Sequence, residues 1–386
     1  MSIRFVTAGE SHGKGLLVIL EGIPAGLNIN SEDIDVELAR RQKGFGRGQR
    51  MKIETDTVQI LSGLRHARSL GSPIALYVEN KDWENWKGTM SPVSVDLDGK
   101  HLLKPRPGHA DLAGLMKYGV SDFRDILERA SARETAARVA AGAVCKELLK
   151  EFGINIISYT LQIGKAEANM SSVPKDQIWH NTEMSYVRCP DAVASKKMIQ
   201  LIKDANSKGD TLGGKFTVIV QNVPVGLGSH TQWDLKLDGR LAQSLISVQA
   251  IKAVEFGSGT KLAAASGSAS HDEIFYNNKK GFYRNTNRAG GIEGGMSNGE
   301  PIEITCTMKA IPSLAKPLRS VNVNTKKAEK AEAVRSDVCA VPAAAIVAEA
   351  AVAIELAKAL QEKFGGDSID DMKENFRSYI SRIQVI

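Results

Sequence analysis

Alternating apolar and polar positions open the chain. Residues 3–8 and 16–21 are rich in β-branched side chains and read as strands, separated by a glycine loop at 9–15. Ser31, followed by Glu32 and Asp33, starts a helix that runs towards Arg41, with its acids at the positive end of the dipole. Glycines at 44, 46 and 48 end it. Residues 51–62 and 74–80 read as further strands. After Ser131 the apolar positions change to helical spacing, at Ala136, Val139, Ala140, Ala143, Val144 and Leu148. Ser131 and Glu134 have the spacing of a capping box at the start of that helix. Strands at 155–162 and 214–222 follow, with helices at 112–118, 192–206, 235–256 and 341–364. Long Ala-rich helices interrupt the strands without the regular alternation of a doubly wound sheet. The expected architecture is therefore α+β, with helices packed against antiparallel sheets. No internal period or low-complexity linker divides the chain, so 1–386 is expected to be one domain.

Composition narrows the function classes. Of 386 residues, 42% are hydrophobic and 24% charged, which excludes disordered and collagen-like classes. Lys and Arg number 50 against 44 Asp and Glu, a net charge of only +6. With aromatics at 5%, a stacking platform for single-stranded nucleic acid is not expected. Cys145, Cys189, Cys306 and Cys339 lie far apart without metal-ligand spacing, so we expect reduced, buried thiols and no metal site. The N-terminus has no basic and apolar leader. The longest apolar stretch, 338–348, contains Pro342 and is too short to span a bilayer. A cytoplasmic protein without a membrane partner is the expectation.

Candidate chemistry lies in the loops. GESHG at 9–13 matches the GxSxG elbow, but a strand rather than a helix follows it, which argues against a serine hydrolase. What remains is a tight glycine turn presenting His12, a side chain able to exchange a proton near neutral pH. From Arg40 to Lys52 six of thirteen residues are basic, including Arg41 and Arg47, and Arg65, His66 and Arg68 add to them. Glycines between the arginines favour a loop folding over a small phosphate or carboxylate. An RNA contact through this loop is the competing reading, and the modest charge weighs against it. KPRPGHAD places His109 near the start of a helix, where free amides attract anions. Arg129, Ser131 and Arg133 surround a second helix start of the same kind. Residues 290–299 form a glycine-rich loop without the order of a dinucleotide fingerprint. Asp337, after Arg335 and Ser336, reads on pattern alone as an acid at the start of the last Ala-rich helix.

Taken together, GESHG, RRQKGFGRGQRMKIETD, PRPGHADLAG, ERASARETAARVAAGA, GGIEGGMSNG and RSDVCAVPAA resemble the chorismate synthase family, in family order over residues 9–342. The resemblance implies a β-α-β sandwich, long helices packed between antiparallel sheets, usually assembled as a homotetramer. It implies a carbon–oxygen lyase that converts 5-enolpyruvylshikimate 3-phosphate to chorismate by 1,4-anti elimination of phosphate. It implies a requirement for reduced FMN, with NADPH only indirectly involved, as a source of reducing equivalents. No added reductase segment is seen, so a separate flavin reductant is expected. By the same resemblance His12 is the acid for the leaving phosphate. His109 stands beside the reduced flavin, and Asp337 relays a proton near its N5. FMN contacts carry over to Arg129, Ser131, Ala132, Gln249, Ala250, Gly294, Lys309 through Ser313, and Arg335, and substrate anions to Arg41, Arg47 and Arg133. Departures from the family pattern stand at Ala130, Gln249 and Ser313, where serine, asparagine and threonine are common.

Overall fold

Four strands, β1 (Arg4–Ala8), β2 (Gly15–Glu21), β3 (Val58–Ser62) and β4 (Ile74–Glu79), form one sheet in the order β1-β2-β4-β3. The computed structural model describes residues 2–48, 54–95, 101–279, 281–333 and 336–385. A second sheet contains β5 (Asn155–Ile163), β6 (Ala166–Glu167), β7 (Gly214–Gln221), β8 (Ile251–Phe256) and β9 (Ile302–Met308), in the order β8-β9-β7-β5-β6. Every pairing in both sheets is antiparallel. Period-two alternation makes one face of each sheet apolar. In β2, Leu16, Val18 and Leu20 are buried; in β9, Ile302, Ile304, Cys306 and Met308 are.

Helices fill the space between the two apolar faces. The helices include α1 (Ser31–Gln42), α2 (Asp111–Tyr118), α3 (Arg124–Ala130), α4 (Thr135–Lys150), α5 (Ala192–Ser207), α6 (Leu237–Ile246), α7 (Val341–Phe364) and α8 (Ile369–Ile383), and the layer between the sheets is chiefly α1, α4 and α7. α4 packs on β2 and β4, α7 packs on β5 and β7, and the two helices pack on each other with α1 against both. Small residues make that approach possible: a Cβ on Gly142 would lie 2.3 Å from the Cβ of Ala350. Pro342 in the first turn of α7 takes a position whose missing N–H costs nothing. The expected α+β sandwich is the observed one.

Several local expectations need correction. Residues 235–256 are not one helix: α6 ends at Ile246, Ala250 turns the chain with φ +69°, and Ile251–Phe256 is β8. The strand expected over 51–62 begins at Val58, and residues 51–53 lie outside the described residues. No capping box forms at Ser131. Its Oγ accepts from the Arg133 amide, and Glu134 is drawn away by Arg138 and Thr7, so a 3-10 turn, Ala132–Glu134, precedes α4. Asp337 does not charge the start of α7, which begins four residues later. The four cysteines are free and buried, as expected, and burial pushes Cys145, Cys306 and Cys339 up to about 12. No helix among the described residues is long and apolar enough to cross a membrane.

Candidate active site

The site is assembled where β1 ends, β2 begins and β4 ends, because antiparallel pairing brings those three ends together. Between β1 and β2 the glycine loop turns with Gly9 at φ +104°, where a Cβ would strike the Gly15 carbonyl at 2.3 Å. Asn80, just past β4, donates from Nδ2 to the Glu10 and Gly13 carbonyls and braces the loop. Arg129 donates to the Gly9 and Thr7 carbonyls, and Ser131 donates to Ser11 Oγ at 3.2 Å. On this loop His12 presents its ring, with Nδ1 2.9 Å from the buried carboxylate of Glu128.

Beside the loop stands a buried cation cluster. Arg133 donates to Asn80 Oδ1 at 2.8 Å and to Asp56 Oδ1 at 2.6 Å. Arg41 donates to the other oxygen of Asp56 at 3.2 Å, to Thr135 Oγ1 and to the Ala132 carbonyl. Burial lowers the Arg41 guanidinium well below its ordinary value; Asp56 counters this, and the charges of Arg133 and Arg47 add to the lowering. It remains a cation at neutral pH, one made costly by its surroundings. Arg47 pairs with Asp337 at 3.0 Å, and Asp337 also accepts the Gly48 amide at 2.6 Å. Asp337 is thus a counter-ion of the arginine loop.

A third group closes the arrangement. His109 Nδ1 meets the buried carboxylate of Asp111 and the guanidinium of Arg106. Burial alone would raise Asp111, but the bonds from His109 and Arg106 hold it well below the usual carboxylate range. Arg106 also donates to Ser313 Oγ at 2.6 Å, and Ser336 donates to the Ser313 carbonyl, next to Asp337. Lys309 donates from Nζ to the Gly108 carbonyl at 2.5 Å, while its backbone amide bonds the Ala250 carbonyl. Gln249 donates to Glu134, which also accepts from Thr7 at the end of β1. Contacts therefore link His12, Arg129, Ser131, Ala132, Arg133 and Arg41, and a second chain links His109, Lys309, Ala250, Ser313, Asp337 and Arg47.

Gly294 is the one expected site residue among the described ones that these contacts do not link. Gly294 lies in the hairpin whose Gly295 carbonyl accepts from Leu237, at the start of α6. Gln249 follows the end of that ten-residue helix, about 15 Å along its axis. Arg335 lies outside the described residues, as do Arg50 and Lys52. Of the added basic residues, Arg65 and Arg68 sit on a turn beyond Ser62, at the far end of β4 from the site. Arg40, next to Arg41, points instead into a buried ion cluster around Glu349. Residues that pattern did not single out include Asp56, Asn80, Trp86, Arg106, Asp111 and Glu128. Asp56, Arg106, Asp111 and Glu128 stand inside the family motifs, and a carboxylate two residues from His109 was the available signal. Among the described residues no group of three or more His, Cys, Asp or Glu is placed to hold a metal ion.

Two histidines backed by carboxylates beside clustered arginines, on a helix-filled sandwich, are groups suited to an enzyme that moves protons beside anions. The chorismate synthase family model matches residues 3–361, and the chain belongs to that family, a family of lyases. It is 74% identical over 384 residues to the chorismate synthase of Endomicrobium trichonymphae, covering 100% of each chain. To that of Bacillus subtilis (strain 168) it is 52% identical, covering 97% of each. A crystal structure of chorismate synthase superposes with a TM-score of 0.81 at 42% identity, covering 100% of this chain and 99% of that one.

Proposed function

We propose that the chain, acting as a single domain, eliminates phosphate from 5-enolpyruvylshikimate 3-phosphate to give chorismate. The carbon–oxygen bond to phosphate breaks with its electron pair leaving on phosphate. The proton at C6 is lost, and the pair it leaves behind completes the diene. Arg41, Arg47 and Arg133 bind the substrate's phosphate and carboxylates, His12 gives the departing phosphate its proton, and Asp337 holds the proton taken from C6. The observation that carries this reading is the convergence of His12, Arg41 and Arg133 around the ends of β1, β2 and β4. A homotetramer in the cytoplasm, supplied with reducing equivalents by a separate reductant that can draw on NADPH, completes the proposal.

The residues present fit reduced FMN. Gln249 Oε1 is buried without a hydrogen-bond partner among the described residues, an acceptor suited to a ring N–H such as the flavin offers. Arg129, Ser131, Ala132, Ala250, Lys309 and Ser313 would hold the cofactor with it, and His109, oriented by Asp111, keeps a titratable ring beside it. Reduced FMN, when bound, supplies transient electron density as the carbon–oxygen bond breaks. Gly294 and Arg335 belong to the same proposed set. The test is anaerobic: substrate with FMN and dithionite should give chorismate absorbance, and oxidised FMN alone should give none. Rapid chorismate formation in highly purified protein with FMN and NADPH alone would overturn the need for a separate reductant. No product with dithionite-reduced FMN would overturn the activity itself.

A further inference from the structure

We propose that Glu128 is a positioning residue that fixes which nitrogen of His12 exchanges a proton. The inference rests on the reading of His12 as the acid of the site. Glu128 lies in α3, its side chain 1% exposed, and both carboxylate oxygens face one histidine. Oε2 accepts the His12 backbone amide at 2.9 Å and stands 2.9 Å from Nδ1, while Oε1 stands 3.0 Å from Nδ1. The Glu128 carbonyl accepts the Ser11 amide at 3.0 Å, so the turn and the ring are referenced to one residue. Trp86 stacks on the imidazole, centroids 4.0 Å apart and planes 28° from parallel, which resists rotation of the ring. Arg124 lies over Trp86 and reaches Glu128 Oε1 at 3.4 Å. Burial alone would raise the Glu128 carboxyl; the bond and charge of His12 hold it below its ordinary value, so it stays an anion. An anion accepts only. Nδ1 must therefore carry a proton, and the proton delivered to a leaving group is the one on Nε2. A carboxylate on Nδ1 also stabilises the ring while both nitrogens are protonated, the form an acid must start from.

Glu128→Gln separates hold from shape. Its amide oxygen, in the place of Oε2, can still accept the His12 backbone amide and lies 2.9 Å from Nδ1. Its NH2, in the place of Oε1, faces Nδ1 as a donor, so the charge is lost and one tautomer is no longer fixed. With histidine labelled by 15N in the imidazole, and His12 assigned by the spectrum of His12→Ala, two-bond proton–nitrogen correlations over pH 6–9 report the tautomer in the full chain. Wild type is expected to show protonated Nδ1 in the neutral ring, and Glu128→Gln a mixture with a larger share of protonated Nε2. Turnover with saturating dithionite-reduced FMN should fall at least about tenfold in kcat, with KM changed less than about threefold. In a His12→Ala background, adding Glu128→Gln should change kcat less than about twofold. Wild-type His12 with protonated Nε2 in the neutral ring, an unchanged ratio of tautomers in Glu128→Gln, or equal losses in both backgrounds would overturn the proposal. If Glu128→Gln does not fold, Glu128→Asp retains the anion, and a change of tautomer there is the overturning result. Unchanged turnover in His12→Ala would instead sink the acid reading, while the tautomer still decides what Glu128 does.

Discussion

Glu349 sits in the middle of α7 with its side chain wholly buried, and three cations converge on it. Arg40 donates at 2.8 and 3.1 Å, Lys146 at 2.5 Å, and Arg188 stands at 3.6 Å. Ser158 donates a further bond at 2.5 Å. Glu37 and Glu183 complete the cluster from the outside, so three cations face three anions. Glu349→Gln preserves the shape but leaves three cations against two anions. Breaking a buried pair on one side costs about 3–5 kcal/mol. Unfolding entropy near 2.1 cal/mol/K per residue gives roughly 0.8 kcal/mol/K over 386 residues, so Tm should fall by about 4–6 °C. The pH dependence has a definite sign. Burial would raise Glu349, but Lys146, Arg40 and Arg188 hold it far below its ordinary value. Its contribution is then complete above the unfolded carboxyl's pKa of about 4.3 and is lost as pH falls below that towards the folded value. Calorimetry at pH 7 and pH 3.5 should show a gap between wild type and variant that narrows in acid. A gap under about 1 °C at pH 7, or one equally wide at pH 3.5, would refute this account.

Gly142→Ala should force α4 and α7 apart, since the new methyl would meet Ala350 at 2.3 Å; overpacking costs about 1–3 kcal/mol, read as a lower Tm with FMN binding measured alongside. Arg47→Ala removes a cation from the arginine loop and should weaken substrate binding by about 2–4 kcal/mol in calorimetry, whereas equal affinity would leave Arg47 as the partner of Asp337 and not a substrate contact.

Periodicity carried the scaffold well and the site unevenly. α1 was readable from its start, Ser31 followed by Glu32 and Asp33, α4 and α7 because their small apolar residues recur at helical spacing, and β2 because its buried positions alternate. Residues 235–256 misled because Leu and Val positions fit a helix throughout, while the decisive feature is one residue, Ala250, in a left-handed conformation. Arg40 and Arg41 look alike in sequence, yet one step along α1 turns a side chain by about 100°, sending Arg40 to Glu349 and Arg41 to Asp56. Asn80 carries no local signature at all, and Asp56, though it closes the motif at 40–56, carries none of its role as a counter-ion. Their partners come from distant segments and meet only once the first sheet has closed.

Asp337 is where pattern and structure part most usefully. Asp56 and Asp337 both balance arginines, but the Asp56 side chain is fully buried between Arg41 and Arg133, while that of Asp337 is 20% exposed against Arg47 at 11%. An arriving substrate anion competes more easily with the exposed carboxylate than with the buried one. Binding on Arg47 would then release Asp337 to hold a proton, and on the proposed reading one residue would serve as counter-ion before the reaction and base during it. Asp337→Asn tests both roles at once. The asparagine oxygen can still accept the Gly48 amide, so the loop keeps its tether, but the competing charge is gone. Substrate affinity should rise by about 1 kcal/mol, roughly fivefold, the scale of a partly exposed ion pair. Turnover should fall by about a hundredfold or more if the carboxylate is the base, and the deuterium isotope effect at C6 should grow. Calorimetry with substrate and anaerobic single turnovers with saturating reduced FMN measure the two separately. Weaker binding with wild-type turnover would leave Asp337 as a tether of the arginine loop and nothing more.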